Sequence, residues 1–219
     1  MAMRGVLADL GEAYTQRSGQ RVDVVAAGGV DAARRVESGE PFDVVVLARE
    51  AIDRLAAAHR VDADTRVDLA RSAIVVAVPA GATHPDIGSE SAVRDAVLRA
   101  RTIGYSTGPS GAHLLRLFDR WGIADTIAPR IVQAPPGVPV GALVARGEAD
   151  LGFQQRSELM HVPGIDVVGP LPSDCQSITV FSGAVCGVTR RAAAAKALLA
   201  FCASGQASDA KRRYGMEPA

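Results

Sequence analysis

Aromatic residues make up only 4% of this 219-residue chain, and Lys196 and Lys211 are its only lysines. Few exposed rings argue against a platform on which bases could stack. Lys+Arg and Asp+Glu number 24 each, so no net field draws the chain to nucleic acid or to an anionic membrane surface. Three cysteines, Cys175, Cys186 and Cys202, form no C-x-x-C pair. An odd, sparse set is neither a disulfide framework nor a metal-ligand pattern, and buried apolar thiols are the expectation. Cys175 stands in a polar loop, slightly apart from the other two. No apolar run reaches the 18 or so residues of a membrane span. No charged-then-apolar leader opens the chain, which by itself reads as cytoplasmic.

What remains is an ordinary globular balance, 48% apolar and 22% charged, long enough for one large domain or two small lobes. Helical and strand-like segments alternate. Val6 to Arg17 carries apolar residues at helical spacing, Arg21 to Ala26 reads as a strand, and Val30 to Glu37 as a helix. Phe42 to Leu47 is a continuous apolar run of the kind found in parallel strands covered on both faces. A helix through Glu50 to His59 follows, then a strand over Ser72 to Pro79 and a helix over Ser91 to Ala100. Strands are expected at Thr102 to Tyr105, Pro129 to Gln133, Asp150 to Gln154, Ile165 to Val168, Ser177 to Phe181 and Ala184 to Val188. Helices are expected after Tyr105, around Val140 to Arg146 and over Ala192 to Ser204, and Glu158 opens a loop. This alternation predicts open, mainly parallel sheets with helices on both faces.

The segment Tyr105-Ser-Thr-Gly-Pro-Ser-Gly-Ala112 is the most informative. A strand ends, small residues intervene and an amphipathic helix begins. Free N–H groups and the helix dipole at such a start suit an anion or carboxylate, with the hydroxyls of Ser106, Thr107 and Ser110 as further donors beside Gly111. The alternative is ordinary capping, with Ser110 satisfying its own helix. A weaker start of the same type is Ala26-Ala-Gly-Gly-Val-Asp31, where Gly28 and Gly29 allow either close approach of a ligand or a turn. Gln154 and Gln155 end a short strand and face opposite sides. Arg4 and Arg156 could pair bidentately with carboxylates. His113, behind the Ser-Thr loop, is the one histidine expected near it, although a surface histidine is the plainer reading. No nucleophile triad, Walker loop, metal set or dinucleotide fingerprint is visible, and no cofactor is indicated.

Several passages resemble one family. Val36-Glu-Ser-Gly-Glu-Pro-Phe-Asp-Val-Val-Val46, Val144-Ala-Arg-Gly-Glu-Ala-Asp-Leu-Gly152 and the Ala195 to Ser204 helix with Tyr214-Gly-Met-Glu-Pro are similar to type II periplasmic solute-binding proteins. Tyr105 to Gly111, Gly152-Phe-Gln-Gln-Arg-Ser-Glu158 and Val162 to Pro172 resemble a subgroup of the molybdate-binding-like branch, a subgroup that includes aconitate isomerase. The resemblance implies a two-lobed α/β fold. Lobe one would comprise residues 1–76 and 181–219, lobe two residues 77–180, with a small anionic ligand held between them. It implies an ABC-type permease as partner and a periplasmic location. It also implies a backbone donor near Val138 to Val140, and places Gln154 where molybdate binders carry a tyrosine.

The departures matter equally. Gly28-Gly29 replaces a Ser-Ser pair, and fewer hydroxyls with an added amide suit an organic acid better than a bare oxyanion. The first strand of lobe one is expected to be missing, with Met1 to Gly5, including Arg4, at the remnant of the first ligand loop. A late start, a strand from another chain or a rearranged lobe would each account for it. An unpaired sheet edge makes a strand-mediated homodimer an expectation. The function expected is binding of a metal oxyanion or a small organic carboxylate. The alternative is an isomerase of a small unsaturated tricarboxylate, its catalytic residues unassigned.

Overall fold

The computed structural model describes residues 1–135 and 137–219. Of the expected Pro136 to Pro139 loop, Pro136 therefore lies outside the described residues. In chain order the elements are α1 (Arg4–Ser18), α2 (Gly29–Glu37), β1 (Val44–Ala48), α3 (Arg49–Ala57), β2 (Val61–Pro79) and α4 (Glu90–Arg99). They continue with β3 (Ile103–Tyr105), α5 (Pro109–Arg120), α6 (Ala124–Ile127), β4 (Ile131–Gln133), α7 (Val140–Ala145), β5 (Leu151–Gln155) and α8 (Arg156–Leu159). The last are β6 (Ile165–Pro170), β7 (Ile178–Cys186), α9 (Ala192–Ala203), α10 (Ser208–Arg213) and β8 (Glu217–Pro218). The chain divides into two compact units, Met1–Ser72 with Thr179–Ala219, and Ala73–Ile178. It leaves unit 1 inside β2 and returns to it at the start of β7.

Unit 2 is the better α/β layer structure. Its β3 pairs in parallel with β4 on one side and β5 on the other, while β2 runs antiparallel to β5 and β6. A core of Ile74, Val76, Ile103, Leu114, Phe118 and Phe153 fills the space between this sheet and its helices. The helical spacing of Leu114, Leu117 and Phe118 lays α5 against the sheet, since those positions share one face.

In unit 1 the ladders of β1 with β7 and of β2 with β8 are antiparallel. This corrects the parallel strand expected over Phe42 to Leu47: β1 alternates buried and half-buried positions, as a strand with one face on the core does. Arg21 to Ala26 is not a strand. Strand hydrogen bonds must come from a neighbour, and among the described residues no ladder pairs this segment. Val22 N–H donates instead to Thr15 Oγ1 at 3.2 Å, and Val25 remains 61% exposed. At its other edge β1 likewise has no partner among the described residues.

Three further corrections are local. β2 begins at Val61, eleven residues before the expected strand, because the polar Asp62-Ala-Asp-Thr-Arg66 stretch hides the alternation. The two strands expected at Ser177 to Phe181 and Ala184 to Val188 form a single β7. Gly183, between the two expected segments, is a packing glycine: a Cβ there would meet Leu199 at 2.5 Å. The turn opening at Glu158 is the short helix α8. All three cysteines are free and buried, each in a different cluster, and burial pushes their thiols up to about 11.

Candidate functional site

Three parallel strands end side by side in unit 2, and their carboxyl ends define the site. Tyr105 lies opposite Gln133, and Gly104 opposite Gly152. The ladder of β3 with β5 ends at Gly104 and Gly152, and Ser106 and Gln154 each lie two residues further along their own segments. Each strand runs directly, or after a short loop, into a helix: β3 into α5, β4 into α7 and β5 into α8. Open α/β sheets bind their ligands at such carboxyl ends.

The loop after β3 is held by its own small residues. Ser106 Oγ accepts from Gly108 N–H at 3.3 Å and lies 3.2 Å from Ser110 Oγ. Helix α5 starts from Gly108 with no side-chain cap, so Ser110 is not the capping residue that ordinary helix chemistry would make it. The first backbone bond of the helix is Ala112 N–H to Gly108 O at 3.1 Å. The N–H groups of Ser110 and Gly111 therefore belong to the unsatisfied first turn. Pro109 at the first helical position has no N–H to lose. A Cβ on Gly111 would sit 1.7 Å from the Ser106 carbonyl oxygen, so only glycine fits there. Ser110 and Gly111 are buried, Ser106 half-buried and Thr107 exposed.

The second start, in unit 1, has none of this construction. Gly28 caps α2 at φ −59°, and neither Gly28 nor Gly29 has an atom within 4 Å of where a Cβ would stand. Neither crowding nor a left-handed turn requires glycine at these positions. Arg4, exposed in the first turn of α1, is in the same unit, and the Met1 amine donates to Ala27 O at 3.2 Å.

Val138 and Gln154 are both in unit 2. Val138 N–H donates to Pro135 O at 3.0 Å. Gln154 is 3% exposed, and its Oε1 accepts from Val140 N–H at 2.7 Å. One of the two functions of this amide is thus spent on the start of α7, leaving Nε2 for another partner. Four residues on stands Glu158, a group that sequence reasoning missed. Burial is the largest influence on the Glu158 carboxyl and pushes it up from its ordinary range.

His113 is drawn away from acid–base work. Its Nε2 lies 2.8 Å from the Cys175 carbonyl oxygen, to which it donates. Among the described residues no group of three or more His, Cys, Asp or Glu side chains is placed to hold a metal ion.

Comparison with known proteins agrees with this architecture. The chain is 40% identical to aconitate isomerase from Pseudomonas sp., over 98% of this chain and 84% of that protein. It is 26% identical to the molybdate-binding protein ModA of Escherichia coli, over 98% of this chain and 85% of that one. The periplasmic molybdate-binding protein of Azotobacter vinelandii superposes with a TM-score of 0.81 at 19% identity, covering 98% of this chain and 95% of its own. The profile of the bacterial extracellular solute-binding proteins matches residues 1–217, and the chain belongs to that family.

Proposed function

We propose that this solute-binding protein takes a small organic carboxylate as its ligand and delivers it, outside the cytoplasm, to an ABC-type permease. The observation that carries the reading is the start of α5, where the Ser110 and Gly111 N–H groups face no side-chain cap. Unsatisfied amides with a helix dipole behind them are a ready receptor for a carboxylate. Ser106 and Thr107 supply hydroxyls beside them, and no cation is needed. An organic acid is favoured over a metal oxyanion on two counts. The isomerase relative, at 40%, is nearer than the molybdate binder at 26%. The position read as the ligand tyrosine of molybdate binders is Gln154, which is already tied to Val140.

The relative at 40% identity also favours a second reading, isomerisation of a small unsaturated tricarboxylate at the same donors. That reaction removes a proton beside a carboxylate and returns one elsewhere, and so needs a base next to the bound acid.

A thermal-shift panel separates these readings. Molybdate, tungstate, sulfate, citrate and both aconitate isomers are compared at matched concentrations. A ligand present at 100 times its dissociation constant adds about 2.7 kcal/mol. A shift with citrate and the aconitates is the expected result, and movement of the aconitate double bond, followed by NMR, would establish the isomerase. A shift with molybdate and tungstate alone overturns both.

A further inference from the structure

One side chain of unit 2 uses its whole bonding capacity on the backbone where the chain enters and leaves that unit. Gln176 Oε1 accepts from Ile74 N–H at 2.9 Å and from Ser177 N–H at 3.0 Å. Its Nε2 donates to Ile74 O at 3.0 Å and to Leu171 O at 3.1 Å. A primary amide has two acceptor sites and two donors, so none is left over. The chain enters unit 2 at Ala73 and leaves it after Ile178. Ile74 and Gln176 therefore stand just inside the two crossings, and the amide fastens one to the other. The ladder of β2 with β6 ends at Val75 opposite Pro170, and the Gln176 amide continues it at Ile74 as a strand residue would.

The same clasp is joined to α5. His113 Nε2 donates to Cys175 O at 2.8 Å, the carbonyl next to Gln176 in the chain. His113 lies in the second turn of α5, three residues beyond Ser110, whose N–H belongs to the unsatisfied first turn. Leu114, Leu117 and Phe118 set the helix in the core that also holds Cys175, and close-packed elements shift as units rather than deform. A ligand that draws on the start of α5 therefore draws on Cys175, and through it on a side chain with no slack. A purely stabilising role differs in its consequence: losing either contact would then change the melting temperature and leave ligand affinity alone.

We propose that His113 and Gln176 are positioning residues that carry occupancy of the α5 start to both crossings, so that a bound carboxylate tightens the backbone at Ile74 and Ser177. This rests on the carboxylate-binding reading given above and adds the route by which the ligand is felt. Coupling between two sites is reciprocal. A ligand that tightens the crossings must itself bind more tightly when the clasp is intact, with no bond required from either side chain to the ligand.

Hydrogen exchange of the wild-type protein, with and without saturating citrate or trans-aconitate, reads the Ile74 and Ser177 amides directly. Both are expected to slow by about tenfold on binding. His113→Phe should lose that response and weaken citrate binding about tenfold by calorimetry. Gln176→Leu should weaken it by a similar factor, and the double variant should be no weaker than either single one, since one route is cut only once. His113→Gln, whose amide can still donate to Cys175 O, should restore both the affinity and the exchange response. Melting curves confirm that each variant folds; should Gln176→Leu not fold, the wild-type and His113 measurements decide alone. Wild-type binding that leaves the two amides unchanged, a response that persists in His113→Phe, or additive effects of the two substitutions overturns the coupling and leaves the carboxylate reading standing. A wild-type protein that binds neither acid overturns both.

Discussion

Two helix starts in this molecule share a sequence pattern, an apolar stretch followed by small residues and glycine, yet only one is tightly built. At α5 in unit 2, β3 is clamped between two parallel strands and its last residue delivers Ser106 to a fixed place. Gly111 then packs against the Ser106 carbonyl so closely that no side chain fits. At α2 in unit 1 the preceding segment pairs with no strand among the described residues, and open space surrounds both glycines. The glycine pattern is thus a consequence of crowding in one unit and compatible with almost any small residue in the other. A motif becomes a constrained helix start when the strand before it is held.

The comparison breaks most easily at the crowded glycine. Gly111→Ala should destabilise by about 3 kcal/mol, the upper range for overpacking, and abolish any carboxylate-induced thermal shift. Gly28→Ala should stay within about 0.5 kcal/mol. Urea denaturation of the two variants measures both, and equal losses would mean that the two starts are equally constrained. Next in size is Gln154→Leu, which strands the Val140 N–H. A loss of about 2 kcal/mol is expected from leaving buried partners unsatisfied, read in the same denaturation series.

The pH dependence of stability should separate the units by sign. Burial opposes ionisation of Asp68 in unit 1. Hydrogen bonds from Ser182 and Arg49, with the charges of Arg49 and Arg66, outweigh it and hold the carboxyl below the usual range. A depressed carboxylate stabilises above its unfolded pKa, and that contribution is lost as pH falls through the folded value. Asp68→Asn should therefore lower Tm at neutral pH and narrow its gap from wild type in acid. Glu158 runs the other way. With its folded pKa raised, the folded protein binds the extra proton, and stability falls as pH rises from the ordinary glutamate range through the folded value. Glu158→Gln should gain Tm over wild type on the alkaline side and gain nothing in acid. The one gain expected among the glycine variants is at Gly29→Ala, where replacing an open helical glycine should add about 0.5 kcal/mol.

Unit 2 was largely legible from its residues. Its strands are short apolar runs bounded by turn residues, and α5 carries Leu114, Leu117 and Phe118 on one face, so period and boundary agree. The small-residue turn from β3 into α5 was legible for the same reason. Unit 1 misled where a segment's state depended on a neighbour. Arg21 to Ala26 has a strand's alternation but no ladder, and the start of β2 has a ladder but polar composition. Gln154 was picked out as facing a ligand, but its bond to Val140 depends on α7 lying alongside β5, which no local pattern encodes. Glu158 was passed over because a charged residue in a surface-like stretch gives no sign that the fold will desolvate it.

The three thiols lead to a consequence of another kind. Cys175, Cys186 and Cys202 sit in separate clusters and titrate near 11, so at neutral pH almost none of each is the nucleophilic thiolate. Alkylating reagents and disulfide exchange should find no reactive sulfur in the folded protein. Cysteine labelling would then report unfolding alone, and an oxidising or a reducing compartment would leave the native chain chemically the same.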